Sequence, residues 1–436
     1  MKYKNPLISI GILALSLIVS TTLSASVTTK GYSETYPAVV CPPTLPGLSS
    51  AISLSSKKTR YQRLSNRSSD TVAFKVLRYS VIKDPLVINS DGTTPVNWQS
   101  RSGSWAGGVI CAGPATSQWF VGGRSDIKSR GRLIVVNSGL SNAIVDIQAF
   151  SENGKQPIKS LNIKSKNYLV LSLDTLATGD RNLVVHIAPR SGRINAFMID
   201  EQGSGLKALG GDLVNHTINA SKIVMIPAIP NQVIKGKNKS VSAHTLRIMT
   251  TSESGARFTA EVLSSDGRFV PIGFSSRALI AGKVSELSIA PKISTSAFAL
   301  RITSDQPIVA SVSSTVSVKS HKDFVWSTPV QALGPMKIAI TGLAPLVVFA
   351  GDSIAVKIEV TLINGKTIHS TIKGSDIATW RAPQLARSLA IVQASKDSFA
   401  SALVVSDNGY GYFPITPGST LTKVEIPHSN IRVLNP

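Results

Sequence analysis

Residues 132–154 of this chain, RLIVVNSGLSNAIVDIQAFSENG, carry the pattern that decides the fold. The stretch holds two apolar runs, and in the second run apolar side chains at 145, 147 and 149 alternate with polar ones at 146 and 148. A strand needs one apolar and one polar face when its sheet covers a core on one side. Asn153-Gly154, which ends the stretch, is typical of tight hairpin turns because it tolerates positive φ. The stretch therefore predicts antiparallel β-structure.

The same pattern returns twice further along the chain. Asp266-Gly267 and Asn364-Gly365 follow alternating runs of their own, and the three turns lie 113 residues (266 − 153) and 98 residues (364 − 266) apart. This spacing is about the size of one Ig-like domain. Because 436 residues are too many for a single core, we predict an all-β protein of three tandem antiparallel Ig-like β-sandwiches.

Each repeat also has an earlier strand and a closing hairpin. The earlier strands are RLIVV at 132–136, TLRIM at 245–249 and MKIAI at 336–340. The predicted hairpins pair 183–187 with 193–199, 299–302 with 308–312, and 389–392 with 400–404. The sandwiches are therefore placed at 119–202, 223–318 and 336–436, with linkers at 203–222 and 319–335.

The residues before the first sandwich fall into three predicted parts. Residues 1–26 place Lys2 and Lys4 before an apolar run and a small-residue segment, which is the order of a secretory signal. A retained signal anchor, formed by a helix at the N-terminus, is the alternative. Residues 27–70 are rich in Ser, Pro and basic side chains and are expected to be flexible. Residues 71–118 are expected to form a small β extension.

Cys41 and Cys111 are the two cysteines of the chain. An even count in an exported protein favours a disulfide between them, because the compartments outside the cytosol are oxidising. Two buried free thiols are the alternative. A disulfide would attach the N-terminal part of the chain to the start of the first sandwich.

Three tryptophans, Trp98, Trp105 and Trp119, lie near Cys111 in the sequence, and Phe120 follows the last of them. Tryptophan packed on a disulfide is a common arrangement in sandwich cores. Aromatic faces beside basic residues can also bind sugars. We expect a structural cluster here, with a glycan-binding platform as the alternative.

The net charge of +22 is concentrated toward the N-terminus. Residues 1–132 hold 16 Lys/Arg and 5 Asp/Glu, a balance of +11, and the other 304 residues hold 30 and 19, again +11. Outside a cell the matching anionic partners are a cell-wall polymer, a glycan or a membrane surface, and another envelope protein is a further option. Nucleic acid is not expected in that compartment.

Motifs of enzymes and metal sites are missing from the sequence. The six histidines have no neighbour at metal-ligand spacing, and there is no G-x-S-x-G, Walker A or dinucleotide fingerprint. A glycosidase site requires a pair of positioned carboxylates. In this sequence carboxylates are scarce, and they do not cluster with aromatic residues. We expect no catalytic residue, cofactor or metal, and an envelope enzyme is the weakest alternative.

The motifs described above resemble those of a family of exported actinobacterial proteins whose domain is classed as of unknown function. The resemblance covers about 105–418 and rests on CAGPATSQWFVGG at 111–123, on 132–154, and on the strand-turn repeat at 269–314. Family members carry a Cys-Pro-x-Pro-like segment before Trp-Phe-x-Gly-Gly, and Ala112 stands where proline is usual. The resemblance implies β-sandwich repeats at the cell envelope and brings no catalytic residues with it.

These observations predict a non-enzymatic protein of the cell envelope, secreted or membrane-anchored. Its expected role is that of a scaffold, an adhesion protein or a wall-associated interaction protein. A glycan-binding accessory module is the second hypothesis.

Overall fold

The computed structural model describes residues 32–35, 38–64, 71–89, 91–232, 243–319, 321–419 and 424–427. The described residues form β-strands and one 3₁₀ turn, Leu173–Thr175, and they include no α-helix. The all-β prediction is therefore confirmed. The predicted signal at 1–26 lies outside the described residues.

The chain divides into two units. In the first, β1 (Tyr32–Thr35) pairs antiparallel with β34 (Val424–Pro427). The described residues from 38 to 419 belong to the second, compact unit. All the sites considered below lie in this second unit.

The second unit consists of four β-sandwiches, modules I to IV, where three sandwiches were predicted. All four have the same topology. When strand positions are lettered a to h in chain order, one sheet has the order a-f-c-d and the other has the order e-b-g-h. The extra sandwich is module I, at the N-terminal end of the unit.

Module I forms from residues that were predicted to be flexible (27–70) or a small extension (71–118). Its buried residues include Ile52 and Leu54, which lie in the part predicted to be flexible. These two apolar residues pack against the second half of the module, so the Ser-rich composition misled the prediction. Positions a to h are β2 (Val39–Cys41), β3 (Ser49–Ser53), β4 (Arg60–Arg63), β5 (Val72–Ala73), β6 (Arg78–Ser80), β7 (Leu86–Asn89), β9 (Val96–Arg101) and β10 (Trp105–Ile110), with β8 (Thr93–Thr94) between f and g.

Module II contains the stretch at 132–154, whose two runs are strands b and c. These strands lie in opposite sheets and bury Leu133, Val135, Val145 and Ile147 between them. The strands are β11 (Gln118–Val121), β12 (Arg132–Asn137), β13 (Ala143–Ser151), β14 (Gly154–Lys155), β15 (Lys159–Ile163), β16 (Asn167–Ser172), β17 (Val184–Pro189), β18 (Ile194–Ser204) and β19 (Lys207–Val214). Strands β14 and β15 both occupy position d.

Module III differs from module II in that one long strand fills positions f and g. The first half of this strand pairs with strand c and the second half with strand b, so it passes from one layer to the other. The strands are β20 (Ser221–Pro230), β21 (His244–Thr250), β22 (Ala256–Ser264), β23 (Gly267–Phe269), β24 (Arg277–Leu279), β25 (Ser285–Ile289), β26 (Ala297–Val318) and β27 (His321–Ser327).

Module IV has two long strands of this kind, one covering b and c and the other d and e. The strands are β28 (Met336–Ala339), β29 (Leu346–Leu362), β30 (Thr367–Arg381), β31 (Ala386–Ala394), β32 (Phe399–Ser406) and β33 (Gly409–Pro414). The predicted third sandwich extended to 436, but β34 pairs with β1 in the other unit.

Two predicted linkers contain h strands. Residues 203–222 include β19, and 319–335 include β27. The glycines of β19 suggested a linker, but glycine also occurs in strands where another backbone approaches closely. Gly211 is such a case, because a Cβ there would lie 3.0 Å from the backbone oxygen of Asp200 and equally close to the ring of Trp105.

Two details of the predicted repeat are also wrong. The f and g strands, such as β17 and β18, lie in opposite sheets and do not form hairpins. The strand at 336–340 occupies position a, equivalent to β11, and the true equivalent of RLIVV is the first half of β29. Alternation alone identifies strands but does not identify their partners, which is why both assignments failed.

The four modules close into a ring. Strand β10 contacts β19 and β33, and β27 contacts the same two strands, so each h strand touches the h strands of both neighbouring modules. A short parallel pairing of β8 with β28 joins module I to module IV. Apolar clusters fill the interfaces, with Trp105 and Phe197 between I and II, Val121 and Met249 between II and III, Val325 and Val348 between III and IV, and Trp98 and Phe413 between IV and I.

Candidate functional site

The h strands pack closely because glycines face one another at the centre of the ring. A Cβ on Gly409 would lie 2.5 Å from the backbone nitrogen of Ala106, and a Cβ on Gly108 would lie 3.1 Å from the ring of Phe413. Ala106 of β10 lies against Gly409 of β33, and Gly108 lies against Phe413. Because residue numbers increase along both strands in the same order, β10 and β33 run in the same direction. The sequence motifs WAGG in β10, LGG in β19 and GYGY in β33 therefore serve strand contact.

Three buried carboxyl groups, Asp200, Asp212 and Asp323, lie at this centre. The Asp212 carboxylate accepts hydrogen bonds from the backbone nitrogens of Leu213 (2.8 Å) and Trp326 (2.7 Å). Burial raises the pKa of Asp323 to about 8. Burial also raises the pKa of Asp212 well above its usual range, and the charges of Asp323 and Asp200 add to that rise. These groups hold strands of modules II and III together and are closed to solvent.

Arg247 of β21 crosses the interface between modules II and III. The side chain is 4% exposed and donates hydrogen bonds to the carbonyl oxygens of Gly123 and Leu183, the second at 3.1 Å. It also forms an ion pair with Glu286 (3.0 Å) and lies over the ring of Trp326. Sequence reasoning did not identify this residue, since nothing local distinguishes a buried arginine in an alternating strand from an exposed one.

The predicted disulfide between Cys41 and Cys111 is present, with the two Cα atoms 4.5 Å apart. Both cysteines belong to the core of module I. Beside the disulfide, Val40 and Ala112 exchange two backbone hydrogen bonds. The bond connects strand a to the residue that follows strand h, so it closes module I on itself.

The predicted tryptophan cluster around Cys111 does not form. Trp105 is fully buried between modules I and II, and Trp98 is buried between modules I and IV. Trp119 is half-buried in module II, where the ring of His186 stacks on it at 3.9 Å. Phe120 is buried in the module II core. The three rings serve different interfaces, and neither Trp98 nor Trp105 can offer a face to a glycan.

Two Ser–His pairs among the described residues resemble a nucleophile and its base, and one of them, Ser314 with His244 (2.9 Å from Oγ to Nδ1), is fully buried. The other pair, Ser117 with His186, is half-buried. Ser117 Oγ lies 3.0 Å from His186 Nε2. Desolvation lowers the pKa of His186, and the stacked Trp119 covers the ring. Among the described residues no carboxylate hydrogen-bonds to this imidazole, so the pair lacks the third group that orients a catalytic histidine.

The three repeat turns occupy equivalent places at the c–d hairpins. Gly154, Gly267 and Gly365 all have positive φ, of 120°, 120° and 88°. No other group lies within 4 Å of a Cβ placed on any of them. Asn153, Asp266 and Asn364 precede them, and the turns are structural in all three modules.

The described residues contain no group of three or more His, Cys, Asp or Glu side chains that could hold a metal ion. They also contain no helix long and apolar enough to cross a membrane.

Module I carries the largest net positive charge of the four modules, +6 of the +14 (37 Lys/Arg minus 23 Asp/Glu) on the described residues. Its described residues include eight Lys or Arg side chains against two acidic ones, Asp84 and Asp91. Four of the basic residues lie along the c–d hairpin and are exposed, and we name this group the basic edge: Lys57, Lys58, Arg60 and Lys75. A hydrogen bond from the Phe74 nitrogen to the Thr59 carbonyl brings Lys58 and Lys75 to the same end of the hairpin.

A groove of about 1210 Å³ between modules I and II adds further basic residues. Lys83, Arg101, Arg130 and Arg132 line it, and Arg101 is paired with Glu201. The Arg130 and Arg132 guanidinium groups donate hydrogen bonds to backbone carbonyl oxygens, among them that of Gly131. A carbonyl partner holds the side chain in place and leaves its net charge intact.

A second cavity, of about 430 Å³, lies at the end of the ring toward which the h strands run. We name it the axial pocket. Its walls are the segments that follow the four h strands, together with parts of modules III and IV, and they include Ala112, His216, Val330 and Thr416. Because one wall comes from each module, the pocket exists only when the ring is closed.

The fold and these sites define a class: a multi-module, all-β protein with a closed ring of sandwiches. Within that class, the chain belongs to DUF5719, a family of unknown function, whose model matches residues 89–378. No curated protein matches the chain. The crystal structure of Thermotoga maritima 1070 is similar over 24% of this chain and 92% of its own, with 19% identity and a TM-score of 0.21. A likeness this small supports no argument about the fold.

Proposed function

We propose that the protein is an exported, non-catalytic scaffold of the cell envelope that binds a phosphate-bearing anionic surface through module I. The basic edge is the observation that carries this proposal. Phosphate groups occur in both lipid headgroups and wall polymers, and exposed lysines attract either as point charges.

Charge distribution within module I supports this proposal. An even scatter of charge serves solubility alone, whereas eight basic and two acidic residues in one small sandwich create a local positive field. Lys83, Arg130 and Arg132 of the groove extend that field toward module II. Rigid β-structure holds these charges in a fixed arrangement.

A scaffold role, rather than an enzymatic one, agrees with the chemistry of the described residues. The buried carboxyl groups at the ring centre accept hydrogen bonds between strands. The Ser117–His186 pair lacks an orienting acid. The polar groups in the interior thus support assembly of the ring.

Cosedimentation of the exported protein tests the proposal. Vesicles of phosphatidylcholine alone, vesicles with added phosphatidylglycerol, and wall material with and without its phosphate polymers distinguish the two sources of anionic charge. We expect binding to phosphate-bearing material only, and weakening as salt is raised, since salt screens exposed charges.

A charge-neutral variant and a matched control sharpen the test. Replacing Lys57, Lys58 and Lys75 with Gln should weaken binding roughly a hundredfold at low salt, at about 1 kcal/mol per basic residue. The control replaces three exposed lysines of modules III and IV, Lys283, Lys292 and Lys373, with Gln. Equal losses in the two variants, or no binding by the unaltered protein, would refute the proposal.

A further inference from the structure

Among the described residues, no charged side chain lines the axial pocket, although the protein has a net charge of +22. Its lining residues are aliphatic side chains, four prolines, one phenylalanine, and a few neutral polar groups. An anion or cation placed there would lose its hydration without gaining a counter-charge, which is costly in a partly enclosed site. The composition of the walls therefore selects against charged ligands.

His216 is a polar residue in the lining of this space. Its ring lies at 5.7 Å from that of Phe120, measured between centroids, and is half-buried among the pocket walls. None of the described residues hydrogen-bonds to its imidazole nitrogens. Desolvation lowers the pKa of His216 to about 4, so at neutral pH the ring is uncharged and offers one donor and one acceptor.

Backbone hydrogen bonds hold the pocket walls, one pair within module II, one within module III and one between the segments that follow the h strands of modules I and IV. Trp119 and Thr217 exchange backbone hydrogen bonds of 2.7 and 2.9 Å. The Val330 nitrogen donates to the Met225 carbonyl (3.1 Å), and the Gly113 nitrogen donates to the Gly418 carbonyl. Segments from all four modules are thus tied in place, and the cavity is preformed. Its volume falls within the range of about 300–1,000 Å³ that is usual for small-molecule sites.

We propose that the axial pocket binds an uncharged small molecule with a hydrocarbon body and one hydroxyl or carbonyl group, and that His216 hydrogen-bonds to that group. This binding site is independent of the basic edge on module I. Because residues from all four modules line the pocket, ligand binding would also stabilise the closed ring.

Displacement of a neutral fluorescent probe tests this proposal on the full chain. N-phenyl-1-naphthylamine should bind saturably with a rise in fluorescence. Decanol should displace it, while decanoate and decylamine, which have the same chain length and opposite charges, should be at least tenfold weaker at pH 7.5. Equal displacement by all three, or no saturable binding of the probe, would overturn the proposal.

Two variants locate the binding. Ala332→Trp places a bulky ring on an exposed lining residue and should reduce probe affinity at least tenfold, whereas Ala278→Trp, on an exposed strand of module III, should leave it unchanged. His216→Phe keeps a ring of similar shape and should weaken decanol several-fold more than it weakens the probe. If Ala332→Trp does not fold, the test rests on His216→Phe. A ratio of decanol affinity to probe affinity that is the same in this variant as in the unaltered protein would contradict the hydrogen bond assigned to His216.

Discussion

The indole nitrogen of Trp326 lies 2.8 Å from Oδ2 of Asp200 and donates a hydrogen bond to it. Trp326 belongs to the h strand of module III, and Asp200 belongs to the g strand of module II. Both residues are buried. The modules are therefore joined by specific polar contacts as well as by apolar packing, and a buried acceptor depends on a donor from the neighbouring sandwich.

Removal of that donor should destabilise the ring. Trp326→Phe keeps most of the apolar surface but leaves Oδ2 of Asp200 with only the longer hydrogen bond from Gln202 Nε2 (3.3 Å), so we expect a loss of about 1–3 kcal/mol in the free energy of unfolding. Urea denaturation measures it. Trp380→Phe is the matched control, because Trp380 is half-buried and its indole nitrogen hydrogen-bonds to none of the described residues. A similar loss of stability in both variants would show that the smaller ring, and not the lost hydrogen bond, causes the destabilisation.

The glycines at the ring centre should not tolerate a methyl group. In Gly409→Ala the new Cβ would meet the backbone nitrogen of Ala106 at 2.5 Å, and a backbone atom of one strand cannot move without the whole strand. We expect destabilisation of about 1–3 kcal/mol or more in thermal or urea unfolding. Gly334→Ala, where nothing lies within 4 Å of the added carbon, should be close to neutral. A stable Gly409→Ala variant would contradict the close contact of β10 and β33.

Stability should fall between pH 7 and pH 9 because of Asp323. Its pKa is raised to about 8 in the folded protein, while an unfolded Asp titrates near 3.9. The folded state therefore binds up to one proton more than the unfolded state between about pH 4 and pH 8, so the free energy of unfolding falls across that whole window as pH rises, and the decrease from pH 7 to 9 is its last part. The expected decrease is on the order of 1 kcal/mol.

Urea denaturation at a series of pH values tests this expectation. Histidines are neutral in both states above pH 7.5, and the pKa values of His216 and His244 are lowered further, so they do not contribute in this range. Asp323→Asn cannot ionise and should reduce the slope, while the raised pKa of Asp212 keeps part of it; Asp407→Asn, at an exposed position, should leave the slope unchanged. An unchanged slope in Asp323→Asn would rule out this carboxyl group as the cause.

Loss of the disulfide should weaken module I. The bond joins cysteines 70 residues apart, and a loop of that length predicts a contribution of about 4 kcal/mol through the entropy of the unfolded chain. The double variant Cys41→Ala, Cys111→Ala should melt at a lower temperature. The unaltered protein should show the same decrease after reduction, while reduction of the double variant should have no effect. Equal melting temperatures before and after reduction would contradict a stabilising role.

Much of the local structure could be read from the sequence. Alternation at 145–149 and in its two later copies identified the c strands, and the glycines after Asn153, Asp266 and Asn364 have the positive φ that the turns require. The pairing of Cys41 with Cys111 was also correct. Each of these signals depends on residues that are close in sequence or on the count of a single residue type.

The sequence failed where strands meet partners from other modules. The first half of module I is rich in Ser, and its few apolar residues are buried only because they pack against the later strands β7 and β9. The sequence of this half alone therefore predicted a flexible segment. The tryptophans near Cys111 are neighbours in sequence, yet Trp98 packs with Phe413 and Trp105 with Phe197. Proximity along the chain therefore gave the wrong grouping.

The sequence by itself determined the all-β class, the period of the repeat and the type of turn, because backbone preference and side-chain alternation act over a few residues. Only the tertiary structure decided that there are four sandwiches, that they close into a ring, and that Asp200, Asp212 and Asp323 lie buried at its centre. Those outcomes depend on contacts between strands hundreds of residues apart, such as Ala106 with Gly409. Burial, and with it the pKa of a carboxyl group or the access to a tryptophan ring, is set by these long-range contacts.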